Sequence, residues 1–381
     1  MKIKTIHIHT NESFISSSKI FDGAVFDNTI VFIQRNETII KTDSNIVVFG
    51  DRDVDIENIV LLCNRSELVV LYDLDLLKSR IALSLSKNTT IIWRFFGYEL
   101  YSRRPELFKS FLTHKYEGAN STLKKRIKKL LFPVYATCFN RNGYYALSRK
   151  AMKRIDIMLG LCVEEYLYLI EKWAFIPVFI RVPNNFTIQQ TDYPDFSCKY
   201  KQQKPIVIIG NSRVSYNNHI DIIELIEKCK TKSSYSFQLL FNYGDTGEYS
   251  NAVRKLVSDK NHFTLIEDFI PKDEFLNFYK DASALVINSY RQMAAANIRM
   301  AIQGGTKVYM NNRNAHKTFL QNEGFRIFSI EDFESDLINN RLQFDENTAI
   351  HNIKNIQRFN ERYTKQDFQN TLIGKLKSKK N

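Results

Sequence analysis

Short apolar runs rich in Ile and Val alternate with longer amphipathic segments along most of the chain, the pattern of parallel strands joined by helices. The runs that read as strands in the first half are 3–8, 29–33, 45–49, 68–72, 90–95, 154–159 and 176–180. In the second half they are 205–209, 236–241, 264–267, 284–288 and 307–310. Between the halves, "RVPNNFTIQQTDYPDFSCKYKQQKP" is polar, holds three prolines and lacks periodicity, so it reads as a linker. Beyond Phe333 the strand signals stop and a charged helical tail begins, its end "KLKSKKN" expected to fray. This layout predicts an α/β protein: a Rossmann-like domain over 1–182, a linker over 183–204, a second Rossmann-like domain over 205–345 and a helical tail over 346–381. Two doubly wound domains facing each other across a cleft are expected, with ligands beyond the carboxyl ends of the strands. Functional residues are therefore sought just after each strand.

Composition narrows the class. A chain of 381 residues with 44% hydrophobic residues, 13 Gly and 7 Pro is globular and long enough for two cores. The net charge of +13 favours an anionic partner: nucleic acid, anionic lipid or a phosphorylated substrate. The five cysteines are odd in number and widely spread without a CxxC pair, which supports neither a disulfide frame nor a zinc site and fits a reducing cytoplasm. "MKIKTIHIHTNESF" lacks the apolar core of a signal peptide and no window is apolar enough to span a bilayer, so a cytoplasmic protein is expected.

"IVIIGNSRVSYNNHID", from Ile206, is a strand that stops at a small polar loop and restarts as a helix whose buried face is Ile222, Ile223 and Ile226. A strand, a small polar loop and a helix N-terminus form an anion site, since free N–H groups and the positive dipole end point at the ligand. A plain turn with an Asn helix cap explains the same residues. Later polar clusters fall at equivalent places: Tyr243 and Gly244 in "FNYGDTGEY", then Tyr290, Arg291 and Gln292, then Asn311 after the last strand.

In this order, "IIGNSRVSYNNHID", "NYGDTGEY" and "SYRQMAAANIRMAIQGG" resemble the nucleotide-sugar half of the GT-B glycosyltransferases, and more narrowly the TDP-N-acetylfucosamine:lipid II N-acetylfucosaminyltransferase family, also called 4-alpha-L-fucosyltransferases. "IIWRFFGYELY" is similar to that family's N-terminal signature, a Trp followed shortly by Trp-Gly-x-Asp-Leu-Tyr, with Phe96 and Glu99 where the signature often has Trp and Asp. The resemblance implies that Gly210, Asn211, Ser212, Asn218 and His219 help form a donor site, and Tyr243, Gly244, Arg291, Gln292 and Asn311 match further positions of the pattern. Retaining GT-B enzymes usually carry two glutamates where this chain has Met293 and Met300, which agrees with an inverting reaction. The implied activity is transfer of a deoxy amino sugar, of the 4-acetamido-4,6-dideoxygalactose type, from a dTDP- or UDP-sugar to a polyprenyl-diphosphate-linked glycan in surface polysaccharide synthesis.

Such transfer needs stabilisation of a diphosphate leaving group and a base for the acceptor hydroxyl. GT-B enzymes as a class meet the first need with helix ends and basic side chains, so no metal and no cofactor beyond the donor is expected. Arg291 can donate two hydrogen bonds at once to phosphate oxygens, and His219 could donate from its helix end. An ion pair for Arg291 and an ordinary helix position for His219 remain alternatives. Glu99 is the leading candidate base, ahead of His9 and the pair Glu164 and Glu165, since a sheltered carboxylate can have a raised pKa. A helix-capping carboxylate remains the plain alternative for Glu99. "DRD" at Asp51 to Asp53 and "DLD" at Asp73 to Asp75 are three-residue acidic patterns of the sort that occur by chance.

In "STLKKRIKKLLFP", Leu123, Ile127, Leu130 and Leu131 form one apolar face while Lys124, Lys125, Arg126, Lys128 and Lys129 cover the rest. Such a helix suits the inner face of an anionic membrane, where a lipid-linked acceptor would lie. Two other readings stay open. A nucleic-acid-binding protein would satisfy the charge, but no RNA-binding strand, helix-turn-helix or zinc pattern accompanies it. A GT-B scaffold that binds a nucleotide sugar without turnover would satisfy the donor motifs.

Overall fold

The structure is a computed structural model. It describes residues 2–34, 45–101, 107–117, 127, 131–132, 135, 143–172, 177–183, 186, 196–244 and 246–380. Two all-parallel sheets form it. The first contains β1 (Ile3–His9), β2 (Phe26–Ile33), β3 (Ile46–Phe49), β4 (Leu68–Tyr72), β5 (Thr90–Arg94), β6 (Ile157–Gly160) and β7 (Val178–Arg181), in the order β3-β2-β1-β4-β5-β6-β7. The second contains β8 (Ile206–Ile209), β9 (Ser236–Leu240), β10 (Phe263–Ile266), β11 (Ala282–Ile287), β12 (Lys307–Met310) and β13 (Phe328–Ser329), in the order β10-β9-β8-β11-β12-β13. Every run expected to be a strand is one, with ends shifted by a few residues. β13 was not expected, because two residues carry no periodic signal.

The burial of each strand follows its place in the sheet. β4 and β11 lie inside their sheets with helices between them and the next strand, and all their residues are buried, which is why they read as unbroken apolar runs. β3 and β10 are edges and are only partly covered, with Val47 40% exposed. In both sheets the strand order reverses direction beside the first strand: between β1 and β4, and between β8 and β11. Crevices at such reversals are where doubly wound sheets bind ligands.

The chain divides into two compact units, one of residues 1–103, 124–184 and 363–381, the other of residues 104–123 and 185–362. In the first unit Phe21, Leu68, Val70, Ile92 and Leu159 share a core with Phe368 and Leu372 of helix Lys365–Lys380. That helix starts at a reciprocal cap, Thr364 N donating to Asp367 Oδ2 at 2.8 Å and Asp367 N to Thr364 Oγ1 at 3.2 Å. Rather than fraying, the terminal segment stays helical to Lys380, and Lys379 pairs with Asp156 at 2.7 Å. The preceding helix Glu346–Arg362 buries Ile356 and Phe359 in the second unit. Within the stretch read as linker, Ser197–Tyr200 is helical and Lys199 is buried, its Nζ donating to the carbonyls of Tyr279 and Ala282 and to Thr306 Oγ1.

Candidate functional site

In the second unit the loops after β8, β9, β11 and β12 interlock through amide side chains. Gly210, after β8, has φ +71, and a Cβ there would lie 2.6 Å from Nε2 of His219. Gly244, after β9, has φ +105, and a Cβ there would lie 2.6 Å from Val214 Cγ1. These glycines let the two loops close on each other: Arg213 N donates to Tyr243 O at 2.9 Å and Asn211 Nδ2 to Tyr243 Oη at 2.6 Å. Asn211 Oδ1 is buried and has no hydrogen-bond partner among the described residues, whereas Tyr243 is 52% exposed. Ser212 is buried and accepts twice from Asn217 Nδ2, at its carbonyl and its Oγ.

Asn218 occupies the left-handed region at φ 51, at the head of helix His219–Lys228, and its side chain does not cap that helix. Its Oδ1 accepts from Ser110 N and Thr113 Oγ1, both at 2.9 Å, and its Nδ2 donates to the carbonyls of Phe108 and Asn288 at 3.2 and 3.1 Å. All four hydrogen-bonding positions of the amide are filled. Asn218 therefore acts by joining residues 107–117 to the end of β11. His219 is fully buried: its ring lies edge-on to Phe241, and its N–H donates to Tyr249 Oη at 2.7 Å. Burial lowers its pKa to about 3, so the imidazole is neutral near pH 7 and brings no cation to a phosphate.

The loop after β11 carries the basic group. Asn288 Oδ1 accepts from Asn311 Nδ2 at 2.8 Å, and Ser289 accepts from Asn314 Nδ2 at both its carbonyl and Oγ, each at 3.1 Å. Arg291 stands with its guanidinium 4.7 Å from the Tyr216 ring centre, and Phe108 meets the same ring edge-on at 5.7 Å. Gln292 is half-buried beside it. Ala294, at φ 59, lies in the left-handed region that costs a β-carbon residue about 1–2 kcal/mol. It opens helix Ala295–Gln303, whose first turn has no side-chain cap. The sheet's reversal point thus carries an uncapped helix end just after the loop that bears Arg291, and free N–H groups with a nearby positive charge are what an anion requires.

Of the residues expected at the donor site, Gly210, Asn211, Ser212, Tyr243 and Gly244 thus share one loop pair, while Arg291 and Asn311 belong to the β11 and β12 ends linked through Asn288. Asn288, Ser289, Asn314 and Tyr216 were missed by sequence reasoning. Asn288 and Ser289 do follow a strand directly, a signal that could have found them.

In the first unit, His9 ends β1, is buried and stacks on Tyr72 with ring centres 3.9 Å apart. Neither of its ring nitrogens has a hydrogen-bond partner among the described residues, and burial lowers its pKa to about 3, helped by His7 and Lys78. Beside it, after β4, Asp73 has φ 65. Lys78 Nζ donates to Asp73 Oδ1 at 2.6 Å, to Thr10 Oγ1 at 2.7 Å and to Asp75 Oδ2 at 3.3 Å. Asp75 also caps helix Leu76–Ser84 through Lys78 N at 2.9 Å. Glu99 is fully buried, with Oε1 accepting from Trp93 Nε1 at 3.0 Å and Leu74 N at 3.1 Å. Burial, with the Asp73 carboxylate nearby, raises its pKa to about 7. Phe96 stacks on Phe14 with centres 4.3 Å apart, and Glu165 accepts from Tyr101 Oη at 2.9 Å.

Among the described residues, no three His, Cys, Asp or Glu side chains are grouped to hold a metal ion, and no helix is long and apolar enough to cross a membrane. Lys124, Lys125, Arg126, Lys128 and Lys129 lie outside the described residues.

Neither a family model nor a curated protein matches the sequence. Solved structures do match the fold. Anabaena HepE, in complex with UDP and glucose, has a TM-score of 0.64 at 10% identity, over 99% of this chain and 100% of that one. The lipopolysaccharide outer core galactosyltransferase WaaB has 0.61 at 12%, over 98% and 100%. Sucrose-phosphate synthase from Thermosynechococcus elongatus has 0.63 at 11%, over 94% and 95%. The chain has the α/β fold of the GT-B glycosyltransferases, with two parallel Rossmann-like sheets.

Proposed function

We propose that the protein is an inverting glycosyltransferase that takes its sugar from a nucleoside diphosphate. The observation that carries this is the second unit's anion site: Arg291 and the uncapped end of helix Ala295–Gln303, at the reversal between β8 and β11. Two phosphates with a developing charge fit an arginine fork and a helix end. HepE, which shares the fold across nearly its whole length, is known with UDP and glucose, and this supports the same donor class here.

The finer reading follows the sequence resemblance: a dTDP- or UDP-linked deoxy amino sugar of the N-acetylfucosamine type, transferred to a polyprenyl-diphosphate-linked glycan in surface polysaccharide synthesis. The basic run Lys124–Lys129 supports work at the inner face of an anionic membrane. So does exposure along its apolar stripe, where Ile127 is 49% and Leu131 56% exposed, followed by Phe132 at 44%. The test is incubation with UDP- and dTDP-sugars and a synthetic polyprenyl-diphosphate-linked disaccharide in anionic vesicles, following nucleoside diphosphate release and the anomeric configuration of the product. Release with inverted configuration is expected. No release above the enzyme-free rate from any donor would overturn the proposal, and a retained configuration would overturn the inverting mechanism.

A further inference from the structure

We propose that Arg313 is the second arginine of the donor site, gripping one phosphate of a nucleoside diphosphate while Arg291 grips the other, so that the site prefers diphosphates to monophosphates. The inference rests on the glycosyltransferase reading above. Every residue it involves belongs to the second unit. One guanidinium fork holds one phosphate group, and a diphosphate presents two. Arg313 lies in the loop after β12, the strand that pairs with β11. Its guanidinium carbon stands 4.2 Å from the centre of the Tyr290 ring, and Tyr290 directly precedes Arg291 in the chain. Arg291 stands over Tyr216 in the same manner, at 4.7 Å. Two adjoining loops thus carry two arginine–tyrosine pairs. A ring attracts a guanidinium through its face, whereas the N–H donors lie in the guanidinium plane and match the oxygens of a phosphate.

The backbone under Arg313 is held on every side. Asn311 Nδ2 donates to Asn288 Oδ1 at 2.8 Å, and Asn311 Oδ1 accepts from Arg313 N at 2.9 Å. Asn312 Nδ2 donates to Glu331 Oε2 at 2.9 Å, and its Oδ1 accepts from Lys317 Nζ at 2.5 Å. Asn314 Nδ2 donates to the carbonyl and the Oγ of Ser289. Three asparagines therefore tie the loop after β12 to the loop after β11 and to the two helices that follow, while the arginine between them is exposed. A cation carried on a loop already ordered gives up less freedom when it takes an anion, which is what preorganisation supplies. Tyr290 is half-buried; burial and the Asp221 carboxylate raise its pKa and the Arg313 charge opposes them, so the ring meets the arginine as a neutral phenol. Asp221 itself accepts from Ser110 Oγ at 2.6 Å, which engages one of its oxygens elsewhere.

The experiment is calorimetric titration of the full chain with UDP and UMP, and with dTDP and dTMP, for wild type, Arg313→Ala and Arg313→Lys. Wild type should bind each diphosphate at least about tenfold more tightly than its monophosphate. Arg313→Ala should lose about ten- to a hundredfold in affinity for the diphosphates and less than about threefold for the monophosphates, because the contact it lacks is to the second phosphate. Arg313→Lys keeps the charge without the fork and should lose an intermediate amount, about three- to tenfold. The side chain is exposed, so the ligand-free thermal midpoint of both variants should match that of wild type within about 2 °C. Arg313→Ala binding UDP and dTDP as tightly as wild type would overturn the proposal. So would an equal loss for diphosphates and monophosphates, which would mean that the substitution disturbs the loop and removes no phosphate contact. Either result leaves the glycosyltransferase reading standing, whereas a wild type that binds neither UDP nor dTDP refutes that reading and this inference with it.

Discussion

At the residue scale, the buried histidines show how a side chain can be visible in the sequence while its state is not. His219 was expected at a helix N-terminus and is there, but the rings of Phe241 and Tyr249 that bury it arrive from elements more than twenty residues away. Together with His7, His9 and His316 it has a pKa lowered to about 3 or 4, in each case chiefly by burial. These imidazoles take protons more readily in the unfolded chain, so stability is lost as pH falls below about 6.5 toward their folded values. At pH 5 each costs roughly 1–2 kcal/mol. Glu99 acts in the opposite sense, because its raised folded pKa of about 7 favours the fold as pH falls from 7 to 4.5. Asp73 and Asp221, whose pKa values burial also raises, act in the same sense as Glu99, and four imidazoles against these three carboxyls leave a net loss. The thermal midpoint should fall markedly between pH 7.5 and pH 5, and a midpoint that rises on acidification would contradict these burial assignments.

At the scale of elements, the strands were legible because both faces of a parallel sheet are covered and the runs stay apolar throughout. What was not legible is which element each loop residue serves. "SYNNHID" announces a capped helix, yet the Asn218 amide faces residues 107–117, more than a hundred positions earlier in the chain. No local pattern encodes a contact at that separation. The same distance effect hid Asn288 and Asn314, whose partners lie on neighbouring strand ends. Asn218→Ala removes four hydrogen bonds at once and strands the Phe108 and Asn288 carbonyls and Ser110 N, at about 1–3 kcal/mol for each buried group left unpaired. The variant should be less stable by at least about 3 kcal/mol and be cleaved by protease within 107–117. Unchanged stability and resistance would show that the segment is held by something other than this amide.

At the scale of the whole molecule, the chain passes between its two units at residues 103/104, 123/124, 184/185 and 362/363, an arrangement richer than the single linker that the sequence suggests. The C-terminal helix returns to the first unit because Phe368 and Leu372 are fully buried there. Net charge was readable from composition, but +13 names no partner by itself. Neutralising Lys124, Lys125, Arg126, Lys128 and Lys129 removes about 1 kcal/mol of membrane attraction per charge near the surface at most, less with added salt. Sedimentation with anionic vesicles should therefore weaken by tenfold or more, and an unaltered binding curve would refute the membrane role of this run.

The central claim is that the second unit binds a nucleoside diphosphate through Arg291 and the adjoining helix end. Thermal unfolding with UDP and dTDP, for wild type and Arg291→Ala, tests it most directly. Ligand at 100 times its dissociation constant adds about 2.7 kcal/mol to the stability of the wild type. Loss of a charged hydrogen-bonding partner should weaken Arg291→Ala by about 1.5–3 kcal/mol, so the same nucleotide concentration gives it little protection. Wild type unprotected by either nucleotide, or a variant protected as well as wild type, would contradict the account.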